Sequence, residues 1–548
     1  MANELTFKPG PSITISDTVK VESLLSSTGV ANFLGIPYAT VPARFRQCRL
    51  LDLESATPSD GGVLKATEYG PVCSQPGEIW ESDRAFMLEG LRPLLKVNGK
   101  VIKSSEDCLR VNIHVSPETL VSGAKKLPVY AWIHGGGWTI GDGNTGADGN
   151  YLVRKAMDLG QLFDSIGINY RLGYHGFLSS KELEDEAKES GETYFANKGL
   201  HDQRVALLWI QKYIHHFGGD PDNVTIAGES AGGWCVLAHL LSNVPICKRG
   251  IIESTPIWTF PPLEDAQRTF DRMVASTGLP DSATGPEKLQ ALRALSDDEM
   301  GRLLNGVYSR PIWDPNWFVY QKDSSTPMER LDKFPSWVQG VMVGWTKDEM
   351  ALWGCTQWTT MTPTDIITWI KDISPNPPFA EELMQVYHIS EHQSQQSNFA
   401  ALLKMSTELI YGCVPPLIGS HPTPKVWVFR FDQTDDFPQS AYRGYSYHSL
   451  DVAFVLCTPS VAGPEADSDY RQTSDRITEA WASFMCGESP GWGPFTETKD
   501  VMLFDGSRSR VIQWCEKDAV WYTLATSEER EDWLRSIGRK LLSKKRDL

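Results

Sequence analysis

The residues most capable of chemistry lie in Val224-Thr225-Ile226-Ala227-Gly228-Glu229-Ser230-Ala231-Gly232, where a serine sits between glycines two positions to either side. The run Val224 to Ala227 is β-rich, and Trp234 to Leu241 is an apolar run that reads as a helix. Strand, sharp turn and helix in immediate succession describe a nucleophile elbow, which exposes a serine hydroxyl at the C-terminal end of a sheet. The same letters occur in ordinary turns, so the motif needs partners. A serine hydroxyl is a weak nucleophile near neutral pH; it requires a base, an acid to orient that base, and donors for an oxyanion.

Candidate donors precede the serine. Leu127 to Ile133 reads as a buried strand and runs directly into His134-Gly135-Gly136-Gly137-Trp138. Three successive glycines cost chain entropy, so after a strand they indicate backbone that must approach something closely. The amides of Gly136 and Gly137, with that of Ala231, can converge on one oxygen.

The elements that must hold these residues follow from the rest of the chain. Alternating runs before Val30 read as short antiparallel strands. Leu109, Val111 and Ile113 alternate as in another strand, Ile166 to Gly173 reads as strand and turn, and Asn197 to Ile210 carries apolar residues every three to four positions. Strands alternating with helices predict an α/β chain with a mostly parallel sheet covered on both faces. No linker, repeat or charge block divides the 548 residues, and 41% apolar with 22% charged residues is ordinary for a globule.

A net charge of −17 argues against nucleic acid as a partner, because phosphate binding needs clustered cations. Arg539-Lys540 with Lys544-Lys545-Arg546 reads as a solvated helix end. The N-terminal residues have no apolar run of signal-peptide length, no later run approaches a membrane span, and Arg546-Asp547-Leu548 matches no targeting tripeptide. A cytoplasmic protein is expected. The sequon Asn223-Val224-Thr225 leads into the elbow strand, where glycosylation is sterically awkward, which fits that expectation. Ten scattered cysteines show no metal-ligand spacing, so neither a metal nor another cofactor is expected.

Together these pieces resemble the type-B carboxylesterase and cholinesterase family of α/β-hydrolases. The matching segments are Phe33 to Ala39, Ser105 to Asn112, His134 to Trp138, Asn169 to Gly173, Asn197 to Gln203, and Phe217 through Gly232, in family order across nearly the whole N-terminal half. The resemblance implies one domain over residues 1–548, built on a large twisted sheet, with Ser230 at the floor of a gorge. It implies a Cys73–Cys108 disulfide; closing that loop stabilises by about 3 to 4 kcal/mol in the chain-entropy model if it oxidises. It also implies that residues 261–410, whose texture is helical segments joined by polar loops, cap the gorge. Trp138, Trp313, Trp317, Phe318 and Tyr320 then become substrate-pocket candidates.

The resemblance extends to the missing acid and base. Val341-Met342-Val343-Gly344-Trp345-Thr346-Lys347-Asp348-Glu349-Met350 is similar to the family's acid-bearing strand end and nominates Glu349; Met350 stands where the family usually has glycine, which keeps Asp348 as an alternative. Tyr447-His448-Ser449-Leu450-Asp451-Val452-Ala453-Phe454-Val455 is similar to the family's histidine segment, with Ser449 for the usual glycine and Asp451 for the usual glutamate. Ser230, Glu349 and His448 follow the chain order of this fold. Glu229 and Asp451 are expected to support them electrostatically. An amphipathic helix through Leu542 could pack a partner copy or the chain's own sheet, so a monomer or a homodimer is expected.

The expected activity is hydrolysis of a small-molecule carboxylic ester through an acyl-enzyme. An acyltransferase, thioesterase or cyclising enzyme of a biosynthetic pathway could use the same residues. A cholinesterase-like binding module is the third reading; an intact serine, acid, histidine and glycine set speaks against it.

Overall fold

The computed structural model describes residues 5–53, 62–75, 96–97, 100–101, 103–257, 261–303, 310–317, 334–420, 422–515 and 523–544. The apolar and β-branched runs of the chain assemble into a 13-stranded sheet. Its strands include β1 (Phe7–Ser16), β2 (Val19–Ser26), β3 (Ala31–Pro37), β4 (Arg110–Val115), β5 (Leu127–Ile133), β6 (Asp164–Ile168), β7 (Gly219–Glu229), β8 (Arg249–Glu253), β9 (Gly340–Thr346), β10 (Lys425–Phe431), β11 (Asp500–Phe504) and β12 (Arg510–Gln513). They lie in the order β1-β2-β3-β4-β6-β5-β7-β8-β9-β10-β11-β12. The block from β6 to β11 is parallel. Antiparallel strands flank it on both sides. This is the expected α/β-hydrolase arrangement, and β5, β9 and the second half of β7, from Val224 to Glu229, are fully or almost fully buried, as a doubly covered parallel strand must be.

Helices α1 (Lys198–Tyr213), α2 (Ala231–Leu240), α3 (Leu450–Val455) and α4 (Ser468–Met485) cover the centre of the sheet. Strand alternation shows which face each occupies. A side chain at Gly250 of β8 would meet Leu240 and Val236 of α2. Glu253, three residues on and therefore on the other face, is turned toward Trp481 of α4.

A buried ion pair fixes the turn after β6. Arg171, 2% exposed, donates from Nε and Nη2 to the two carboxylate oxygens of Asp202 at 2.8 Å each, and Asp202 also accepts the Arg171 amide at 3.1 Å. The fork-to-fork geometry satisfies both charges where water cannot. It also explains why the Asn169 to Gly173 and Asn197 to Gln203 segments are distinctive in the sequence: they are two halves of one contact.

The helical segments of residues 261–410 lie on either side of β9, which runs through the sheet where the sequence placed a strand. Helices Leu263–Ser276, Gly285–Ala294 and Asp297–Leu303 precede β9, and Pro363–Ile373, Pro377–Val386 and Gln395–Thr407 follow it. The first group has its own small core, in which Phe270, Met273, Leu289 and Leu292 pack with Leu178 and Leu183. Arg44 clamps it by donating to the carbonyls of Leu292 and Leu295 and pairing with Glu106 and Asp297.

Cys73 and Cys108 are buried free thiols rather than a disulfide. They are hydrogen-bonded to each other, a contact that raises Cys108 and lowers Cys73, and Cys73 Sγ accepts the Leu172 amide at 3.2 Å. The sulfurs are satisfied without a covalent bond. The C-terminal helix Glu528–Lys544 packs on Pro363–Ile373 and the π-helical turn Glu408–Gly412, not on the sheet. Leu534, Ile537 and Leu541 supply its buried stripe.

Asp202→Ala should leave Arg171 buried and uncompensated. A loss of about 3 to 5 kcal/mol in urea unfolding is expected, and a change below about 1 kcal/mol would contradict this account of the pair.

Candidate active site

Ser230 follows β7 and precedes α2 with φ 57° and ψ −120°, a conformation that residues with a Cβ avoid. The turn is held on three sides. The Ser230 amide donates to the Glu253 carbonyl at 2.9 Å, and the Trp234 amide donates to the Ser230 carbonyl at 3.0 Å. A Cβ on Gly232 would fall 2.0 Å from the Ile133 carbonyl oxygen, so the glycine is required for α2 to lie against β5.

His448 arrives from the loop before α3. His448 Nε2 lies 2.9 Å from Ser230 Oγ, and His448 Nδ1 lies 2.6 Å from Glu349 Oε2. Glu349 sits just past β9; its other oxygen accepts the Thr346 amide at 2.9 Å. With the Nδ1 hydrogen on Glu349, Nε2 presents its lone pair to the serine hydroxyl. Asp348 points elsewhere, accepting the Ser446 amide at 3.0 Å. Met350 has φ −75°, so its backbone does not require the family's usual glycine.

The glycine run passes directly over the serine. A Cβ on Gly135 would lie 2.6 Å from the Glu229 carbonyl oxygen and 3.2 Å from Ser230 Cβ. Gly136 and Gly137 have φ 101° and 62°. The Gly136 carbonyl turns back to accept the Thr139 and Ile140 amides at 3.1 Å each. Gln75 braces the far side of this turn, donating to the Gly141 carbonyl and accepting the Gly141 amide. Tyr170 stacks on His134 at 4.4 Å and donates its hydroxyl to the His134 carbonyl.

Carboxyl groups crowd the buried side of His448. Glu229 Oε1 is 3.1 Å from His448 Nε2 and accepts the Ser449 hydroxyl at 2.6 Å. Ser449 has φ 69°, which accounts for glycine in related chains; here the hydrogen bond to Glu229 accompanies a serine in the left-handed region. Burial pushes the Glu229 carboxyl up to about 7, against the opposing attraction of His448. Asp451 is raised by burial and by Glu349. Glu253, not singled out in the sequence, is raised by burial and by Asp451 and Glu229.

The pocket candidates fare unevenly. Trp317 belongs to the core: the Arg204 guanidinium sits 3.4 Å over its ring and its indole N–H donates to the Ala238 carbonyl at 3.0 Å, anchoring α2 from behind. Trp138 is also buried, edge-on to Trp234 at 5.4 Å. Trp313 is half-buried, and Phe318 and Tyr320 lie outside the described residues. The rings that do flank the imidazole are Trp353 at 4.9 Å and Tyr411 at 5.1 Å. Tyr411 is carried on the π-helical turn Glu408–Gly412, which no sequence pattern announces.

The raised carboxyl of Glu229 has a thermodynamic consequence. The folded protein retains a proton that the unfolded chain releases near pH 4.5, so this residue's contribution falls as pH rises through about 7. Glu229→Gln should therefore gain stability relative to the parent between pH 5 and pH 8, by up to about 3 kcal/mol. Urea unfolding at both pH values checks this; a difference that does not change with pH contradicts it.

The family model of the carboxylesterase family matches residues 19–517. The chain is 28% identical over 499 residues to the para-nitrobenzyl esterase of Bacillus subtilis, covering 88% of this chain and 92% of that one. It is 35% identical over 278 residues to lipase 5 of Diutina rugosa, covering 48% and 47%. Among solved structures, a PNB esterase superposes with a TM-score of 0.71 at 25% identity, covering 93% of this chain and 99% of that one. Among the described residues no helix is long and apolar enough to cross a membrane. The chain belongs to the carboxylesterase family, and with its α/β-hydrolase fold it is a carboxylic ester hydrolase.

Proposed function

We propose that ester cleavage proceeds through an acyl-enzyme on Ser230. The observation that carries this reading is the unbroken line of contacts from Ser230 Oγ through His448 to Glu349, 2.9 Å and 2.6 Å long. His448 takes the hydroxyl proton as Ser230 attacks the ester carbonyl, and Glu349 orients the ring and stabilises the imidazolium. The amides of Gly136, Gly137 and Ala231 hold the oxygen that gains charge. His448 then gives its proton to the departing alcohol. Water, deprotonated by the same nitrogen, attacks the acyl-enzyme and frees the acid. Glu229, close to Nε2, adds a second negative charge that favours the imidazolium once its own raised carboxyl has ionised.

The similarity to a para-nitrobenzyl esterase supports small aryl or benzyl esters as first test substrates. Every group in the scheme comes from one chain.

Ser230→Ala should abolish turnover of a p-nitrophenyl ester of a short acid while the melting curve stays cooperative; retained turnover overturns the assignment. Gly136→Ala would put a Cβ 2.1 Å from the Ile140 carbonyl oxygen and move the donor loop. It should lower kcat by roughly a hundredfold or more, with Ser230 still labelled slowly by a fluorophosphonate; an unchanged kcat removes Gly136 from the oxyanion site.

A further inference from the structure

Behind the serine and histidine, the same end of the sheet holds Glu253 and Asp451, to which the scheme above gives no role. Glu229 and Glu253 are register partners on β7 and β8, so their side chains leave adjacent strands on one face. That face is closed by Trp481 of α4, Asp451 of α3 and Tyr130 of β5. Glu253 and Asp451 are 0% and 1% exposed; the Trp481 indole N–H faces the Glu253 carboxyl and the amides of Asp451 and Val452 face the Asp451 carboxyl, but among the described residues no cationic side chain pairs with either.

The charged neighbours of this pocket are of one kind. Asp451 and Glu229 act on Glu253, and Glu349 acts on Asp451. The base in the set is His448, whose nitrogens face Glu349 and Glu229. A carboxylate without a cation in a dry site costs several kcal/mol. Adjacent carboxyls that share such a site cannot all ionise, and one keeps its proton.

We propose that Glu253 is a positioning residue that carries its proton through the neutral pH range and so confines the negative charge behind His448 to Glu349 and Glu229. This rests on the reading of Ser230 and His448 as nucleophile and base. A proton on Glu253 keeps one further charge away from the oxyanion that forms above Ser230. Its main-chain carbonyl, bonded to the Ser230 amide, ties any shift of the residue to the nucleophile itself. When Glu253 ionises in alkali, the added charge holds the proton on His448 more tightly and opposes the oxyanion, and both effects slow the reaction.

The test is an infrared comparison of full-length protein and Glu253→Gln at pH 7, each labelled with carboxyl-13C glutamate, alongside kcat/KM against pH. The expected result is loss of one protonated-carboxyl C=O band in the variant and an alkaline fall in kcat/KM that moves up by about one pH unit or more, the acidic limb holding its place. Loss of a carboxylate band instead, or an alkaline limb that does not move, overturns the proposal. Should Glu253→Gln fail to fold, Glu229→Gln decides it: persistence of a protonated-glutamate band past neutrality in that variant supports the proposal, and a spectrum without one at pH 7 overturns it. Fluorophosphonate labelling of Ser230 in parallel separates the two claims. Absence of labelling defeats the acyl-enzyme reading, whereas labelling with a contrary infrared result defeats only the role of Glu253.

Discussion

The site depends on one backbone conformation that its own residue disfavours. Ser230 sits at φ 57°, a placement that costs an L-residue roughly 1 to 3 kcal/mol, and it persists because neighbours on every side over-determine it. The Glu253 carbonyl takes its amide, α2 begins immediately after it, and Gly232 lets that helix lie against Ile133. Relaxing the turn would break hydrogen bonds in β8 and packing in β5 at once. The hydroxyl is therefore aimed before any substrate arrives, which is what electrostatic preorganisation requires.

The second constraint is charge. Glu229, Glu253, Glu349 and Asp451 are all at most 5% exposed, and His448 is the base they share. Glu349 is satisfied by His448 and the Thr346 amide, and Glu229 by Ser449 and His448. The others must be accommodated by protonation, so the state of the site at a given pH belongs to the cluster rather than to a single residue. A proton gained by His448 would meet a negative environment already in place.

The helical insertions meet the catalytic end of the sheet in two ways. The group before β9 is held to the N-terminal half by Arg44 and by Arg293, whose guanidinium pairs with Glu186 at 2.7 Å through both nitrogens. The group after β9 delivers Tyr411 and Trp353 to the face of the histidine. The first group sets the outer wall, and the second reaches the reacting centre. Clustered aromatics near Trp313 read as pocket in sequence, yet Trp317 is spent on Arg204 and Ala238; burial of a large ring is favourable wherever the core accepts it.

Local signals were enough for the fold class, the elbow and the glycine turn, because each is written in contiguous residues with a specific backbone demand; Glu349 and His448 were legible only through the resemblance of their segments to a known family. The resemblance nominated Glu349 over Asp348, two adjacent carboxyls of equal chemistry, and the direction in which β9 ends turns the former toward His448 and the latter toward the Ser446 amide. Whether Cys73 and Cys108 are joined and where Trp317 lies turn on contacts between residues far apart in the chain. Glu253 and Tyr411 left no trace in sequence for the same reason: an ordinary strand end and an ordinary tyrosine gain their meaning only from what folding places beside them. Sequence determined the parts that a turn or a strand can specify alone; tertiary structure decided the parts set by burial, where the dielectric and the company of other charges exist only once the chain has closed around them.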